Sequence, residues 1–261
     1  MLARLRDEFN PDWGVVGIGE PLVKSLRAGI PGLRGFPALS GPGFAVPSTQ
    51  QALWVLLRGQ NPGVLFDLTG RLKALVEGSF ALEDAMDTFT YAGGRDLTGY
   101  IDGTANPSPE DCPEVALVAS GDGLAGSSFV AVQRWLHDLV HFRSHSQAQR
   151  DNIIGRSLET NEELDEAPES AHVKRTAQEA FEPTAFMVRR SMPWSTTDRQ
   201  GLEFIAYGQS LDAFERVLRH VVGLDDAIAD ALFTFSRPVT GGYYWCPPLL
   251  SDRLDLSLVG L

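Results

Sequence analysis

Apolar residues divide the first half of the chain into short elements separated by segments rich in glycine and proline. Apolar runs with little alternation at 14–18 and 52–58 indicate strands covered on both faces. An apolar side that recurs every three to four residues predicts a helix over 64–76. Segment 1–9 has the pattern of a short amphipathic helix, and 80–91 has the composition of a strand. The predicted order is therefore α-β-β-α-β.

The second half alternates strands and helices more clearly. Gly223 follows an apolar-periodic segment and marks the end of a helix. The order β-α-β-β-α-β is that of a ferredoxin-like unit. The predicted elements are strands at 115–119, 128–134, 185–190, 202–207 and 231–235, and helices at 135–146 and 211–222.

Comparison of the two halves predicts an α+β fold made of two tandem ferredoxin-like (βαββαβ) units with antiparallel sheets. The N-terminal unit is assigned to residues 1–119 and lacks its first strand, and the C-terminal unit is assigned to residues 120–261. An exposed sheet edge is expected in the first unit, because the missing strand would leave backbone groups unpaired. Units with exposed edges commonly associate, so we expect a homo-oligomer.

Composition makes several classes of partner unfavourable. With 261 residues and 43% hydrophobic content the chain can bury a sizeable core, while its net charge of −12 disfavours nucleic acid and anionic membranes. Cys112 and Cys246 are too few for a disulfide framework and fit free thiols. The N-terminus has no apolar signal-peptide core, and no apolar run approaches the roughly 20 residues that span a bilayer. We expect a cytoplasmic protein.

The stretch 99–107 holds a candidate catalytic acid. Asp102 follows apolar Tyr100 and Ile101 and precedes Gly103, and Asn-Pro closes the segment as a turn. An acid held beside apolar side chains suits proton transfer in a dry pocket. Taken alone, however, these nine residues favour an ordinary surface Asp-Gly turn.

Three motifs in order change that interpretation. Gly99–Gly103 resembles the Gly-x-x-Asp-Gly motif of the dye-decolourising peroxidases, and 167–175 and 188–194 resemble two further motifs of that family. Weaker similarity extends from about 15 to 248, and the resemblance is to the B-like bacterial type. The family has a duplicated ferredoxin-like fold, usually with an extra N-terminal strand that would precede Met1 here. The resemblance therefore implies a haem peroxidase.

The resemblance implies roles for three principal residues. His172 matches the axial ligand of the iron in one haem b per chain, Asp102 matches the distal acid that accepts a proton from hydrogen peroxide, and Arg189 matches the distal arginine. Peroxide would be reduced through a ferryl intermediate that oxidises phenolic or anionic dye-like donors. If Asp102 works ionised, activity should peak on the acid side, near pH 4 or somewhat above.

Further cofactor-binding residues follow from the same resemblance. Arg156 matches an arginine that neutralises a haem propionate, for which Arg175 is a poorer candidate, and Asp230 matches the carboxylate behind the axial histidine. Because strand side chains alternate, Ser191 would face the same way as Arg189 and hold distal water. The motif residues Gly103 and Thr104 are retained, whereas Ala105 stands where relatives mostly have Glu.

Each of these assignments has a structural alternative. Arg189 could be an ordinary salt-bridge partner, and Arg156 could be only a surface charge. His172 could be an exposed loop histidine, and Asp230 could be a helix-terminal aspartate. His137, His141 and His145 are predicted to line one helix face, where solvent exposure is favoured over metal binding. The aromatic residues of 243–245 fit either the core or a surface relay of electrons. The apolar tail 254–261 faintly resembles encapsulin-loading peptides but also fits a plain strand or a disordered end.

Two rival functions remain open at this point. A haem-binding protein for haem delivery or storage would share the axial ligand and show incidental peroxidase activity. A haem-free dimeric α/β-barrel module would retain the motifs without the cofactor. The distal acid and arginine favour catalysis, because a carrier needs neither.

Overall fold

The computed structural model describes residues 1–261, which fold into short helices and strands joined by extended loops. The helices are α1 (Leu2–Glu8), α2 (Glu20–Ser25), α3 (Pro62–Val76), α4 (Cys112–Ala116), α5 (Leu139–Ser144), α6 (Gln147–Ile154), α7 (His172–Arg175) and α8 (Asp212–Val222). Short 3-10 turns lie at Pro11–Trp13, Gln178–Ala180, Ala231–Thr234 and Ser257–Val259. The strands are β1 (Gly14–Gly19), β2 (Leu39–Gly41), β3 (Phe44–Val46), β4 (Leu53–Leu57), β5 (Ser128–His137), β6 (Val188–Arg189), β7 (Met192–Ser195), β8 (Gln200–Gly208), β9 (Ser236–Pro238), β10 (Gly242–Cys246), β11 (Leu249–Leu250) and β12 (Arg253–Leu254).

One eight-stranded antiparallel sheet organises the molecule. Its order is β4-β1-β10-β5-β8-β6, with β7 also paired to β8 and β9 to the end of β5. In the second half, β10, β5, β8 and β6 take the places of the fourth, first, third and second strands of a βαββαβ unit. This arrangement confirms the predicted α+β, ferredoxin-like class.

The first half contributes strands to the same sheet. β1 pairs with β4 along its length and with β10 through Ile18↔Trp245 and Gly19↔Tyr244. The predicted elements α1, β1, β4 and α3 are all present within a few residues. Strands of both halves share one sheet, and the division into units 1–119 and 120–261 stays a prediction.

The predicted strand at 80–91 is wrong. This segment forms only one isolated bridge, between Thr88 and Trp194. Its apolar residues Leu82, Phe89 and Tyr91 are exposed along with its carboxylates, so no face of the segment is buried as one face of a strand would be.

Three other boundaries also differ from the predictions. Residues 112–116 form α4 instead of a strand at 115–119, with Pro113 in its first turn. β5 continues through His137 because β8 and β9 pair with it there, so the helix predicted over 135–146 is limited to α5. Residues 231–234 form a 3-10 turn, and the last strand of the unit is β10, which the predictions missed.

The largest core cluster of 27 buried residues lies on one face of the sheet against α1, α2 and α8. Tyr243 and Trp245 are buried in this cluster and Tyr244 on the opposite face, so these aromatic residues belong to the core and not to the surface. Leu254, Leu256 and Val259 also pack into the cluster, which orders the C-terminal tail. No helix is both long enough and apolar enough to cross a membrane.

The centre of the sheet tolerates no side chain at Gly201. A Cβ there would lie 1.8 Å from the Trp135 carbonyl oxygen on the neighbouring strand β5, whereas a Cβ at Gly70 in α3 would meet nothing within 4 Å. Gly201→Ala is therefore expected to lower the free energy of unfolding by about 3 kcal/mol or more. Gly70→Ala should raise it by about 0.5–1 kcal/mol, because alanine favours helix. Urea denaturation of the two variants measures both, and equal stabilities would contradict this packing.

Candidate active site

Asp102 lies in a loop that is shaped by its own backbone. The Asp102 N–H donates to the Gly94 carbonyl over 3.2 Å, and Gly99 and Gly103 take positive φ angles of 96° and 76°. The carboxylate accepts one hydrogen bond, from the Gly103 N–H at 2.7 Å. Burial raises the pKa of Asp102 above its ordinary value of 3.8, against the opposing charge of Arg189 and the Gly103 hydrogen bond. A carboxyl group with a raised pKa thus lies in the predicted motif, and its role as the catalytic base stays a prediction.

Arg189 ends β6, the edge strand of the sheet, and is close enough to Asp102 for each charge to shift the pKa of the other group. Its Nε is buried and has no hydrogen-bond partner. Burial lowers the pKa of Arg189 below its ordinary value, and the charge of Arg156 acts in the same direction. Arg189 takes part in no salt bridge, so the alternative of an ordinary ion pair does not hold.

His172 begins α7 and is oriented from behind by Asp230. His172 Nδ1 lies 2.7 Å from Asp230 Oδ2, and the side chain of His172 is 31% exposed while that of Asp230 is fully buried. The other oxygen of Asp230 accepts from the Leu232 N–H at 2.8 Å. Asp230 therefore caps a 3-10 turn and also orients the imidazole. The alternative that Asp230 is a helix-terminal aspartate describes its position but not its bond to His172. His172 Nε2 is left without a protein partner.

Arg175 anchors α7 to the end of α8. Its guanidinium makes two hydrogen bonds to Asp226, at 2.7 and 2.8 Å, and one to the His220 carbonyl at 2.5 Å. This residue is 2% exposed and holds the pKa of Asp226 below its ordinary value. Arg175 is therefore a support of the segment that carries His172 and is not free to bind a propionate.

Arg156 is engaged within its own loop. It forms a salt bridge with Glu163 and donates to the Asn161 carbonyl at 2.9 Å. Glu163 is largely exposed, and Arg156 lies close enough to Arg189 for its charge to act there. Its role toward a propionate stays a prediction, in which an anionic group would compete with Glu163.

The structure gives less support to the predicted roles of Ser191 and Thr104. The strand is interrupted between β6 and β7, so the alternation that placed Ser191 beside Arg189 does not continue through this point. Ser191 Oγ accepts from the Ile205 N–H at 3.4 Å and, with Arg190, Ser191 lines a cleft of about 2150 Å³ between the sheet and α3. That cleft includes neither Arg189 nor the predicted axial histidine. Thr104 is exposed.

Two amide side chains that the motifs did not single out connect the distal elements. Asn106 Oδ1 accepts from the Arg189 N–H at 2.8 Å, and its Nδ2 donates to the Arg189 carbonyl at 3.0 Å. Gln178 donates to the Ala105 carbonyl at 3.0 Å and accepts from the Met187 N–H at 2.8 Å. Asn106 lies inside the Asp102 motif, but its side chain bonds to Arg189, which is distant in sequence. No motif or periodicity in the sequence around Gln178 indicates its contacts.

A buried polar group beneath the Asp102 loop was also missed. His137 lies 2.6 Å from Ser236 Oγ through Nδ1 and 3.3 Å from Asp96 Oδ2 through Nε2. Burial alone would raise the pKa of Asp96, but hydrogen bonds from His137 and Thr98 outweigh it, and this pKa lies below its ordinary value. His137 belongs to β5, so the predicted helical face of three histidines is wrong. No group of three or more His, Cys, Asp or Glu gathers to hold a metal.

Comparison with known proteins places this chain in a family. A family model described as Dyp-type peroxidase, C-terminal, matches residues 93–251. A dye-decolorizing peroxidase of Mycolicibacterium paratuberculosis is 32% identical over 85% of this chain, and one of Mycobacterium tuberculosis is 31% identical over 92%. The chain spans 64% and 74% of these two relatives.

The chain belongs to the dye-decolourising peroxidase family. Solved structures agree with the assignment of both family and fold. The dye-decolorizing protein from V. cholerae has a TM-score of 0.84 and 32% identity, covering 94% of this chain and 81% of the other. DypB from Rhodococcus jostii RHA1 has a TM-score of 0.84 and 27% identity over 95% and 80% of the two chains. A variant of that DypB was solved in complex with heme, with a TM-score of 0.85 and 26% identity over 95% and 81%.

The raised pKa of Asp102 predicts how the stability of the chain depends on pH. The folded state holds the proton more tightly than the unfolded chain, so this group's contribution to stability is present below pH 3.8 and is lost as pH rises through the folded-state pKa. Asp102→Asn should therefore raise the free energy of unfolding at pH 7 and have little effect below about pH 3. Exposed Asp122→Asn is the control, and denaturation at both pH values measures the difference. A loss of stability in Asp102→Asn at pH 7 would contradict the direction of this pKa shift.

Proposed function

We propose that this chain is a haem-b peroxidase that reduces hydrogen peroxide and oxidises phenolic or anionic dye-like donors. The observation that supports the proposal most strongly is the combination of three side chains. A carboxyl group with a raised pKa and a guanidinium with a buried, unpartnered Nε influence each other's ionisation, and the charge of His172 also acts on Asp102. The imidazole of His172 is oriented by a buried carboxylate.

The chemistry of these groups fits a haem. An imidazole that gives one ring nitrogen to a carboxylate and leaves the other free matches the donor expected behind a haem iron. His172 would hold the iron, with Asp230 making it more electron-donating, and Arg156 would neutralise a propionate. Gly103 and Thr104 would border the distal side, and Ser191 would contribute there only through water or a local rearrangement. When bound, one haem per chain supplies a redox centre that takes two oxidising equivalents from peroxide.

The protein's own steps are proton transfer and charge stabilisation. Ionised Asp102 would accept a proton from one oxygen of hydrogen peroxide and return it to the other oxygen, which departs as water. Arg189 stabilises the negative charge that develops as the O–O bond breaks. Two donor molecules then each give one electron, and two further protons complete the second water.

A haem carrier is less well supported than an enzyme. Burying Arg189 with an unpartnered Nε beside an acid with a raised pKa costs stability, and haem transport requires neither group. We therefore treat the peroxidase as the function and peroxide with small aromatic donors as its partners.

Localisation and assembly follow as finer proposals. Net charge of −12 and two free cysteines support a cytoplasmic chain without nucleic-acid partners. The outer edge of β4 carries no further strand, and pairing of such edges supports a homo-oligomer. Encapsulin loading stays a prediction that would require release of Leu254, Leu256 and Val259 from the core.

Haem binding and catalysis are expected to separate by residue. The purified chain should show a Soret band after haem addition, which His172→Ala should abolish or shift because the axial nitrogen is lost. Asp102→Asn and Arg189→Leu should keep the band but slow the reaction with one equivalent of peroxide by about 100-fold or more. Stopped-flow absorbance measures both. A parent chain that binds no haem, or Asp102→Asn reacting as fast as the parent at every pH, would refute the proposal.

The pH dependence gives an independent prediction with a defined sign. The rate of reaction with peroxide should fall as pH drops through the Asp102 pKa, at a midpoint above 3.8 because burial raises that pKa. Arg189→Leu should move this midpoint to higher pH, since the arginine charge now lowers the Asp102 pKa. Asp102→Asn should remove the acid limb. A midpoint at or below 3.8 in the parent chain would contradict this account.

A further inference from the structure

Asn106 occupies the free edge of the strand that carries Arg189. β6 is only two residues long and pairs with β8 on one side through Val188↔Tyr207 and Arg189↔Ala206. On the other side, the Asn106 side chain accepts from the Arg189 N–H at 2.8 Å and donates to the Arg189 carbonyl at 3.0 Å. These are the two bonds that a neighbouring strand would make. Asn106 also lies four residues after Asp102 in the same loop.

Gln178 forms a second connection between the same elements. It is 2% exposed and links the carbonyl of Ala105 to the N–H of Met187, at 3.0 and 2.8 Å. Its own carbonyl accepts from the Ala185 N–H at 2.9 Å. Gln178 begins a 3-10 turn six residues after His172. It therefore contacts the loop of the acid, the strand of the arginine and the segment that follows the histidine.

The distance between the acid and the arginine matters because both groups are only partly exposed to water. The interaction of two charges falls with their separation and is strongest where the effective dielectric is low. A displacement of about 1 Å from the productive geometry can reduce a rate by about 100-fold. No side-chain hydrogen bond joins Asp102 to Arg189, so their spacing has to be fixed through the backbone.

We propose that Asn106 and Gln178 are positioning residues that together hold the Asp102 loop at a fixed spacing from the Arg189 strand, with Gln178 also tying both to the segment after His172. The inference rests on the proposed function for its catalytic consequence. Its structural part concerns the spacing itself and applies to the chain with or without haem.

The charged groups near Asp102 determine how its pKa will respond to a change in the spacing. Arg189 and His172 favour the ionised carboxylate, and Asp96 disfavours it. Asp96 is held by His137 and Thr98 on the far side of the loop and has no hydrogen bond to either amide. Loosening the two amides should therefore weaken the contribution of Arg189 while leaving Asp96 in place.

The first test measures Asp102 directly in the full-length chain before haem is added. Carboxyl 13C NMR should give a higher Asp102 titration midpoint in Asn106→Ala and in Gln178→Leu, by about 0.5–1 pH unit, since a neighbouring arginine typically accounts for shifts of about 1–3 units. Arg189→Leu should raise the midpoint as well. Combining Asn106→Ala with Arg189→Leu should add nothing further, because the amide acts through the arginine.

The second test uses the haem-loaded chain. Both amide variants should lose about 10- to 100-fold in kcat/KM for hydrogen peroxide, with haem affinity within about two-fold of the parent. Gln178→Glu should recover part of the loss at acid pH, where a neutral carboxyl can again donate to the Ala105 carbonyl while accepting from Met187. Gln178→Leu should show no such recovery.

Matched controls separate positioning from general destabilisation. Gln50 also bridges distant segments, accepting from Phe36 and Tyr243 N–H groups at 3.1 and 2.8 Å and donating to the Tyr243 carbonyl at 2.8 Å. Asn61 accepts from the Gly63 N–H at 2.8 Å at the start of α3. Gln50→Leu and Asn61→Ala should lower the melting temperature but leave the Asp102 midpoint and kcat/KM unchanged.

The outcomes distinguish this inference from the function on which it rests. Folded amide variants with a parental Asp102 midpoint, or an additive double variant, would overturn the positioning role whatever the chain catalyses. If Asn106→Ala does not fold, Gln178→Glu decides, and equal behaviour at acid and neutral pH would overturn the role of Gln178. A chain that binds no haem would refute the proposed function but would leave the NMR result to decide the spacing.

Discussion

The site depends on keeping an acid and a guanidinium close together but not bonded. Burial raises the pKa of Asp102 and lowers that of Arg189, so each group favours its neutral form more than it would in water. A direct salt bridge would relieve both effects, yet the carboxylate accepts only from the Gly103 N–H and the arginine Nε has no partner. The rest of the fold therefore has to hold two groups in an arrangement that is unfavourable for stability. Such costs are typical of functional sites, where reactivity is set by environment.

Around His172 most polar side-chain atoms have hydrogen-bond partners, although Arg175 Nε is buried without one. Asp230 divides its two oxygens between His172 and the Leu232 N–H. Arg175 binds Asp226 and the end of α8, and the Ala231 N–H donates to the Ser170 carbonyl at 2.8 Å. The imidazole is thereby fixed by a network with little freedom to rotate. An imidazole anchored by a carboxylate, together with two incompletely paired charged groups, is the arrangement expected if His172 retains a cofactor and Asp102 and Arg189 serve proton transfer.

The sequence predicted those parts of the structure that depend on local pattern. The helices α1, α3 and α8 and the strands β1, β4, β5 and β8 follow from apolar periodicity. The three motifs single out Asp102, His172 and Arg189 as candidates without any knowledge of their spacing. The prediction failed at 80–91, where strand-like composition was not matched by a buried face, and at 242–246, a fully buried strand that begins at Gly242 directly after Gly241. It also failed at His137, because β8 and β9 extend β5 through long-range pairing that no local window contains.

Long-range side-chain contacts set the same limit for the site. Asn106 and Arg189 are 83 residues apart, and Gln178 reaches Ala105 across 73 residues, so neither contact leaves a trace in local periodicity. Position 105 illustrates the consequence. There the sequence has alanine where the resemblance leads one to expect glutamate, which suggested a local change in the motif. The structure makes the main-chain carbonyl of Ala105 the group that receives Gln178, and its side chain is exposed. A substitution at this position leaves that hydrogen bond available, so the loop can keep its distance from Arg189 with either residue.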